Sequence, residues 1–189
     1  MTHDSPLPVR TATPDDAAAL ERLVNSAYRG DSSKAGWTTE ADLLGGQRVD
    51  VEGLRALIGR APAAGRTDGC AVVLVHEDAS GLVACVELEP QGASCYLGML
   101  TIRPTAQAGG LGRRLLAAAE QYAMRHFGTR EMHMTVIVQR TELMAWYERR
   151  GYRRTGVRKP FPYGDPRFGL PRRPDLEFEV LSRSLATDA

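Results

Sequence analysis

The stretch QAGGLGRRLL, Gln107–Leu116, places three glycines directly before the longest helical pattern in the chain. Glycine loses more conformational freedom on folding than any other residue, so three of them indicate a sharp turn or a backbone that approaches a bulky group closely. The first N–H groups of a helix are unpaired and its dipole favours negative charge, which are the properties of an anion site. A flexible turn between a strand and a helix explains the same residues equally well.

Two phosphate-binding loops do not fit this stretch. A P-loop needs Gly-Lys-Ser/Thr, but Gly112 is followed by two arginines, Arg113 and Arg114. The dinucleotide-binding fingerprint needs a third glycine three residues after the second, and that position is Leu115. The stretch therefore favours neither a nucleoside triphosphate nor NAD as the ligand.

The composition is that of a globular protein, with 43% hydrophobic and 25% charged residues. A length of 189 residues suits one domain, which we expect to span residues 1–189. The formal net charge of +1 argues against nucleic acid or a membrane surface as a partner. We expect no metal site, because Cys70, Cys85 and Cys95 lack metal-ligand spacing. We expect a cytoplasmic location, because neither a signal segment nor an apolar run of membrane length is apparent.

Apolar periodicity and breaker residues predict strands that first form hairpins and then alternate with helices, an α/β pattern. A helix is predicted from a cap at Thr13 to Gly30, and a capping box of Thr39 and Asp42 predicts a short helix after it. Further helices are predicted at Val51–Arg60, Leu111–Phe127 and Leu143–Arg150, and strands at Val9–Ala12, Cys70–His76, Leu82–Leu88, Cys95–Ile102, Met132–Val138, Tyr152–Val157 and Leu176–Leu185.

Two motifs at a suitable separation resemble those of one family. The pattern Ile102-x-Pro104-x-x-Gln107-x-x-Gly110-x-Gly112 resembles the acetyl-CoA signature of the GCN5-related N-acetyltransferases. The later helix LMAWYERRGY, residues 143–152, is similar to a second family motif that ends Y-x-x-x-G-F/Y. The resemblance implies the acyl-CoA N-acyltransferase fold: a mixed, mostly antiparallel central sheet, splayed near its middle, with helices on both faces.

The resemblance also implies where acetyl-CoA binds. Leu100, Thr101 and Ile102 would offer backbone groups to the pantetheine arm. The pyrophosphate would be wrapped by the glycine loop, which consists of Gln107, Ala108, Gly109, Gly110, Leu111, Gly112 and Arg113. Arg114 either adds a charge-assisted bond to phosphate or lies on a solvated first turn.

The implied reaction is direct acetyl transfer from a thioester to an amine. Tyr147 matches the family tyrosine that donates to the departing sulfur, although its helical spacing alone would favour a packed aromatic. The N–H of Leu100 would stabilise the oxyanion. Glu87 is the candidate general base, since Cys85, Glu87 and Glu89 share one strand face; an exposed polar face is the alternative, and His133 is a weaker candidate.

One position departs from the family pattern, and the acceptor stays open. Arg140 stands where the family frequently has Asn, so the residue contacts the cofactor differently or that contact is absent. The aromatic-polar cluster Trp37–Glu40 either shapes the acceptor pocket or forms a helix cap with one buried ring. The Phe161–Pro174 loop covers the pocket, makes a homodimer contact or is simply stiff.

These features predict an acetyl-CoA-dependent N-acetyltransferase whose acceptor is a small-molecule or peptide amine. The alternative is a non-catalytic acyl-CoA sensor of the same fold. Retention of Tyr147 favours the enzyme, and Arg140 mildly favours the sensor.

Overall fold

The central feature of the protein, in a computed structural model that describes residues 7–62 and 69–185, is a seven-stranded sheet. The strands are β1 Arg10–Thr11, β2 Leu44–Gly45, β3 Val72–Asp78, β4 Gly81–Gln91, β5 Ser94–Ile102, β6 Glu131–Ile137, β7 Arg153–Pro160, β8 Leu170–Pro171 and β9 Glu177–Ser184. The helices are α1 Ala17–Tyr28, α2 Gly30–Ser33, α3 Val51–Ile58, α4 Leu111–Phe127 and α5 Thr141–Glu148. The large sheet runs β1-β3-β4-β5-β6-β9-β7, and β2 pairs with β8 in a separate small sheet.

The large sheet opens between β5 and β6. All its strand pairs are antiparallel except this one, which is parallel and pairs only Ser94–Tyr96 with Glu131–His133. Beyond these three pairs the two strands are no longer bonded to each other. The predicted mixed, mostly antiparallel and splayed sheet is therefore confirmed.

The two faces of the sheet are covered by different helices. Val72 and Leu74 of β3 pack on the side of α4, whereas Val73 and Val75 pack on the side of α1 and α3. This alternation follows from the two-residue repeat of a strand, so a continuous apolar run fills both layers. The predicted placement of helices on both faces is confirmed.

Helix α4 has the bounds that its sequence pattern predicts, Leu111–Phe127. Its apolar residues Leu115, Leu116, Ala119 and Ala123 are buried against the sheet. The helix ends at Gly128, which adopts a left-handed conformation with φ of 66°, a backbone that glycine adopts without a steric penalty. Apolar periodicity and two flanking glycines thus suffice to define this element.

The predicted helix at Thr39–Asp42 is wrong. Thr39 does interact locally, since its hydroxyl lies 2.5 Å from that of Ser33 and accepts from the Ala41 N–H. The chain then forms a turn and enters β2, which pairs with β8 inside the predicted Phe161–Pro174 loop. A capping pattern is local, and here the pairing with a distant segment decided the outcome.

Other boundaries shift by a few residues. Helix α1 follows a 3-10 turn at Pro14–Asp16 and ends at Tyr28, and α3 ends at Ile58. Strand β3 begins at Val72, so Cys70 precedes it. Residues 63–68, between the predicted helix Val51–Arg60 and the predicted strand Cys70–His76, lie outside the described residues.

The described ranges 7–62 and 69–185 contain no helix that is long and apolar enough to cross a membrane. Within the same ranges, no group of three or more His, Cys, Asp or Glu side chains is placed to hold a metal ion.

Replacing Leu115 with Ala should destabilise the fold by about 2–5 kcal/mol, because this fully buried side chain would leave a cavity between α4 and the sheet. The matched control is Met124→Ala on the same helix, whose side chain is 39% exposed and should change stability by less than about 0.5 kcal/mol. Urea unfolding measures both free energies. Equal losses in the two variants would contradict the described burial of α4.

Candidate active site

Two clefts meet at Tyr147. The narrower cleft runs between the glycine loop, α5 and the segment at Trp37. The wider cleft lies in the opening between β5 and β6, beneath the Phe161–Pro174 loop. Tyr28, Leu100, Leu143 and Tyr147 line both clefts. Groups bound in the two clefts would therefore come together beside these four side chains.

The glycine loop opens the N-terminus of α4 toward the narrower cleft. Pro104–Gly109 form a 3-10 turn, and Gly110 precedes the helix with a left-handed φ of 72°. No side chain caps the helix, and a Cβ on Gly110 would meet no atom within 4 Å. The first amides of α4 therefore keep an open approach, which is what an anion needs.

Basic side chains stand beside these amides. Arg113 and Arg150 line the narrower cleft. The Arg150 guanidinium lies 3.6 Å from the centre of the Trp146 ring, and its Nη1 donates to the Trp146 carbonyl. Burial lowers the pKa of Arg150, and the nearby positive charges of Arg149 and Arg113 lower it further. This concentration of positive charge favours an anionic ligand.

Gln107 connects the glycine loop to the segment at Trp37. Its Nε2 donates to the Ile102 carbonyl at 3.1 Å and to the Thr38 hydroxyl at 2.9 Å, and its Oε1 accepts from the Trp37 N–H at 2.9 Å. A Cβ on Gly36 would lie only 2.6 Å from the Gln107 Oε1, so glycine is required for this close approach. The side chain thus orders the loop, and only its backbone remains available to a ligand.

A bulge in β5 lies at the junction of the clefts. Cys85 pairs with Thr101 and Glu87 with Gly98, so both Met99 and Leu100 stand opposite Val86. Met99 has a φ of 49°, unusual for a residue with a side chain. The bulge takes Leu100 out of the ladder with β4, and the hydroxyl of Tyr28 donates to the Leu100 carbonyl at 2.5 Å.

Thr101 differs from its neighbours Leu100 and Ile102. It is buried, pairs with Cys85 in the ladder, and its hydroxyl donates to the Met99 carbonyl at 2.9 Å. Leu100 and Ile102 line the narrower cleft, and Thr101 does not. Thr101 therefore stabilises the bulge through its hydrogen bond to Met99, without lining the narrower cleft.

Tyr147 is buried in the fold with its hydroxyl unbonded. The ring packs edge-on against Trp146 and Tyr152. Across the described ranges, no acceptor lies within hydrogen-bond distance of the hydroxyl. Burial raises the pKa of Tyr147, so the phenol is protonated at neutral pH. The group is a proton donor without an acceptor at the meeting point of two clefts.

Glu87 lies in the wider cleft. Burial raises the pKa of its carboxyl to about 7, and the negative charge of the neighbouring Glu89 contributes. A carboxyl that titrates near 7 can accept a proton at neutral pH. His133 lines the same cleft, and the centre of its ring lies 5.6 Å from that of Tyr96. Burial lowers the pKa of His133.

Three arginines surround one buried carboxylate in the wider cleft. The Glu40 carboxylate lies 2.5 Å from Arg29, 2.9 Å from Arg140 and 3.3 Å from Arg48. Burial alone would raise the pKa of Glu40, but the three guanidiniums outweigh it and lower the pKa to about 2. Sequence reasoning did not find this group, because its members are far apart in the chain and share no motif.

The group also explains Arg140. Its guanidinium donates to Glu40 and, at 2.7 Å, to the Thr38 carbonyl, so it anchors the Trp37–Glu40 segment to the start of α5. Trp37 itself is 41% exposed and faces Trp146 at 6.1 Å. The segment therefore forms a wall of both clefts, and the alternative of a helix cap with a buried ring is wrong.

The Phe161–Pro174 loop contributes to the wider cleft. Phe161 is buried and stacks on Phe178 at 5.6 Å, and Phe168 lines the cleft while 46% exposed. The Tyr163 hydroxyl accepts from the Leu176 N–H and donates to the Arg173 carbonyl, which ties the loop to β9. The loop covers one side of the wider cleft.

The structure brings most of the predicted site residues together. Those that line the narrower cleft are Leu100, Ile102, Gln107, Gly110, Gly112, Arg113 and Tyr147, while Glu87 lies in the wider cleft with Tyr147. Gly109 and Leu111 belong to the loop but line neither cleft, and Ala108 lies in the 3-10 turn. Sequence reasoning missed Tyr28, Trp146 and Arg150, which carry no signal beyond ordinary helical patterns.

A mixed sheet that opens beside an uncapped helix N-terminus, with helices on both faces, is the acyl-CoA N-acyltransferase fold. The sequence matches the family model described as the acetyltransferase (GNAT) family over residues 37–152, more than half of the chain. The protein belongs to the GNAT family of acetyltransferases. No match was found among curated protein sequences.

Solved structures share the fold at low sequence identity. The yncA protein of Salmonella typhimurium, assigned as an acetyltransferase and solved with its cofactor acetyl-CoA, has a TM-score of 0.67 at 19% identity, over 98% of this chain and 97% of its own. A ribosomal-protein-alanine N-acetyltransferase of Brucella melitensis has a TM-score of 0.66 at 20% identity, over 95% of this chain and 100% of its own. A chimeric spermidine N-acetyltransferase SpeG of Vibrio cholerae has a TM-score of 0.65 at 18% identity, over 95% of this chain and 96% of its own.

The raised pKa of Glu87 predicts a pH-dependent cost in stability. The folded protein holds this proton up to about pH 7, whereas the unfolded chain releases it near its ordinary pKa of 4.5. Between these values the native state binds more protons, so the contribution of Glu87 to stability falls as pH rises. Relative to Glu87→Gln, the wild type should lose about 1–3 kcal/mol between pH 5 and pH 8. Urea unfolding of both proteins at the two pH values checks this, and a pH-independent difference would contradict it.

Proposed function

We propose that this protein is an acetyl-CoA-dependent N-acetyltransferase that moves the acetyl group directly to a primary amine. The observation that carries the proposal is the position of Tyr147. Its protonated, unbonded hydroxyl stands where a basic cleft with an open helix N-terminus meets a second cleft that contains Glu87.

The narrower cleft fits acetyl-CoA. The uncapped first turn of α4, the absence of a Cβ at Gly110 and the positive charges of Arg113 and Arg150 suit a pyrophosphate. Gln107, Ala108, Gly109, Leu111 and Gly112 complete the loop around it. The edge of β5 at Leu100 and Ile102, which lines the narrower cleft, suits the pantetheine arm, while Thr101 holds the bulge at Met99 and Leu100. Acetyl-CoA supplies the acetyl group as a thioester.

The bulge in β5 prepares a site for negative charge on the acetyl carbonyl oxygen. Because Leu100 stands outside the ladder with β4, we assign its N–H as the oxyanion donor. The hydrogen bond from Tyr28 to the Leu100 carbonyl fixes the orientation of this peptide group. The unbonded Tyr147 hydroxyl is assigned as the group that donates a proton to the departing sulfur.

Glu87 is assigned as the general base. The amine must be neutral to attack, and an ordinary alkylamine is protonated at neutral pH. A carboxylate with a pKa of about 7 can remove that proton, directly or through water. Glu87 takes one proton from the ammonium group, and Tyr147 gives its phenol proton to the sulfur as the C–S bond breaks. The nitrogen that now carries the acetyl group releases its second proton, which restores the Tyr147 phenol, directly or through water, so that the products are the amide, the free CoA thiol and protonated Glu87.

The sensor alternative makes a different prediction about chemistry. Arg140 no longer supports it, since this side chain holds Glu40 and the Thr38 carbonyl. A sensor would bind acetyl-CoA without releasing thiol in the presence of any amine.

Replacing Gly110 with Glu should abolish acetyl-CoA binding, because bulk and negative charge would occupy the proposed pyrophosphate site. Gly128→Glu is the matched control: this glycine caps the other end of α4, has a similar φ of 66° and also has no atom within 4 Å of an added Cβ. Calorimetric titration with acetyl-CoA measures affinity, and circular dichroism checks the fold. Unchanged affinity in folded Gly110→Glu would refute the assigned loop.

Tyr147→Phe should lower kcat for acetyl transfer by about 100-fold while acetyl-CoA affinity is retained, because only the proton donor is lost. Tyr122→Phe is the control, since Tyr122 lies on α4 and lines neither cleft. Thiol release with a panel of primary amines measures the rate. Binding of acetyl-CoA without turnover on any amine would favour the sensor, and an unchanged rate in Tyr147→Phe would overturn the role of Tyr147.

A further inference from the structure

The charges in the wider cleft bear on which amine is accepted. We propose that the acceptor carries a carboxylate close to its amine, as a free amino acid does, and that Arg48 binds this carboxylate. The inference rests on the proposed N-acetyltransferase function and names the substrate class of that same cleft.

The first observation is an excess of positive charge. Arg29, Arg48 and Arg140 share one carboxylate, Glu40, so this group has two more positive than negative charges. The same cleft is also lined by Glu87 and Glu89 and by Lys159 and Arg167, so its lining as a whole keeps that excess of positive side chains. The low pKa of Glu40 means that protonation does not change this balance at neutral pH. An excess of this kind in a partly closed cleft attracts anions and repels polycations.

The second observation is that donor capacity remains unused. The Nε and Nη2 atoms of Arg29 are buried without a hydrogen-bond partner among the described residues. The side chain of Arg48 makes a single hydrogen bond to the described part of the chain, a long one of 3.3 Å to Glu40. Arginine donors in a partly closed site are normally paired, so the remaining N–H groups of Arg48 are available to an acceptor that binds in the cleft.

Arg48 is the arginine that a ligand can reach. Its side chain is 31% exposed in the cleft, whereas those of Arg29 and Arg140 are 5% and 7% exposed. The planar guanidinium can present two N–H groups to a carboxylate, and the two buried arginines hold Glu40 behind it.

The place of Arg48 limits the distance between carboxylate and amine. Its guanidinium stacks over the Tyr28 ring at 4.4 Å from the ring centre, and the hydroxyl of that ring bonds to Leu100, the proposed oxyanion donor. The charge of Arg48 also acts on Glu87. A carboxylate on Arg48 is thus separated from the reacting centre by one tyrosine side chain, a span that suits an amino acid and not a peptide C-terminus.

The remaining lining of the cleft is mixed: Lys159 and Arg167 are charged, and one part is apolar. Phe161, Phe168 and Phe178 line the apolar part, together with Ile137 and Leu143. Such a wall takes an aliphatic or aromatic side chain. An amino acid with an apolar side chain therefore matches the positive charge of the cleft, the available donors of Arg48 and the apolar part of the lining.

The test compares leucine, leucinamide and spermidine as acceptors. Leucinamide replaces the carboxylate of leucine with an uncharged amide and mimics a peptide N-terminus. Its amine is also less basic, which by itself would favour leucinamide, so a preference for leucine is evidence for recognition of the carboxylate. We expect kcat/KM for leucine to exceed that for leucinamide by about 10- to 100-fold, the range for a charge-assisted hydrogen bond. Spermidine, a polycation, should be the poorest of the three.

Arg48→Gln should remove this preference by raising KM for leucine much more than KM for leucinamide, with unchanged affinity for acetyl-CoA; any effect on kcat through Glu87 should be shared by both acceptors. Arg48→Lys keeps the positive charge but lacks the planar guanidinium, and it should retain part of the preference for leucine that Arg48→Gln loses. Arg173→Gln is the control, since Arg173 pairs with Asp175 outside both clefts. Equal use of leucine and leucinamide, a preference for spermidine, or an equal loss on both acceptors in Arg48→Gln would overturn the proposal.

Failure of the proposed function gives a different result. If no amine supports thiol release, the N-acetyltransferase assignment is wrong, and the anion site is then tested by binding alone. Calorimetric titration with leucine and N-acetylleucine should show saturable binding that Arg48→Gln weakens at least 10-fold. Absence of binding to the folded wild-type protein would overturn the anion site as well.

Discussion

The short pairing between β5 and β6 is the constraint on which the site depends. Only three residue pairs join these parallel strands, and beyond them the sheet opens. The opening leaves the edge of β5 unpaired and makes room for the wider cleft beside the narrower one. The bulge at Met99–Leu100 lies on the strand that borders this opening, so backbone groups in the middle of a sheet remain available for chemistry.

Electrostatics divides the site into three parts. The open N-terminus of α4 with Arg113 and Arg150 forms one positive region, and the arginines around Glu40 form another. Tyr147 and Glu87 lie between them, and burial raises the pKa of both. A protonated phenol suits a proton donor and a carboxyl that titrates near neutrality suits a proton acceptor, which are the roles proposed for them, and the same physical cause, burial, shifts the pKa of each.

Local patterns predicted the elements whose signals are strong and self-contained. Helix α4 has the predicted bounds because its apolar periodicity is long and a glycine stands at each end. The helix expected at Thr39–Asp42 is absent because β2 pairs with β8, more than a hundred residues away in the chain, and no local pattern reports such pairing. The arginines around Glu40 were missed for the same reason: they are far apart in the chain, and only tertiary packing brings them to one carboxylate.

The sequence by itself determined the glycine loop, the helix behind it and the presence of a tyrosine at the motif position, because each depends on residues that are neighbours along the chain. Only the tertiary structure decided that Thr101 pairs with β4 while Leu100 has no partner in that ladder. It also decided that the Gln107 side chain bonds to the Trp37 segment and that the Arg140 guanidinium bonds to Glu40. These outcomes depend on which distant groups satisfy each buried donor and acceptor, and that is settled only when the layers pack.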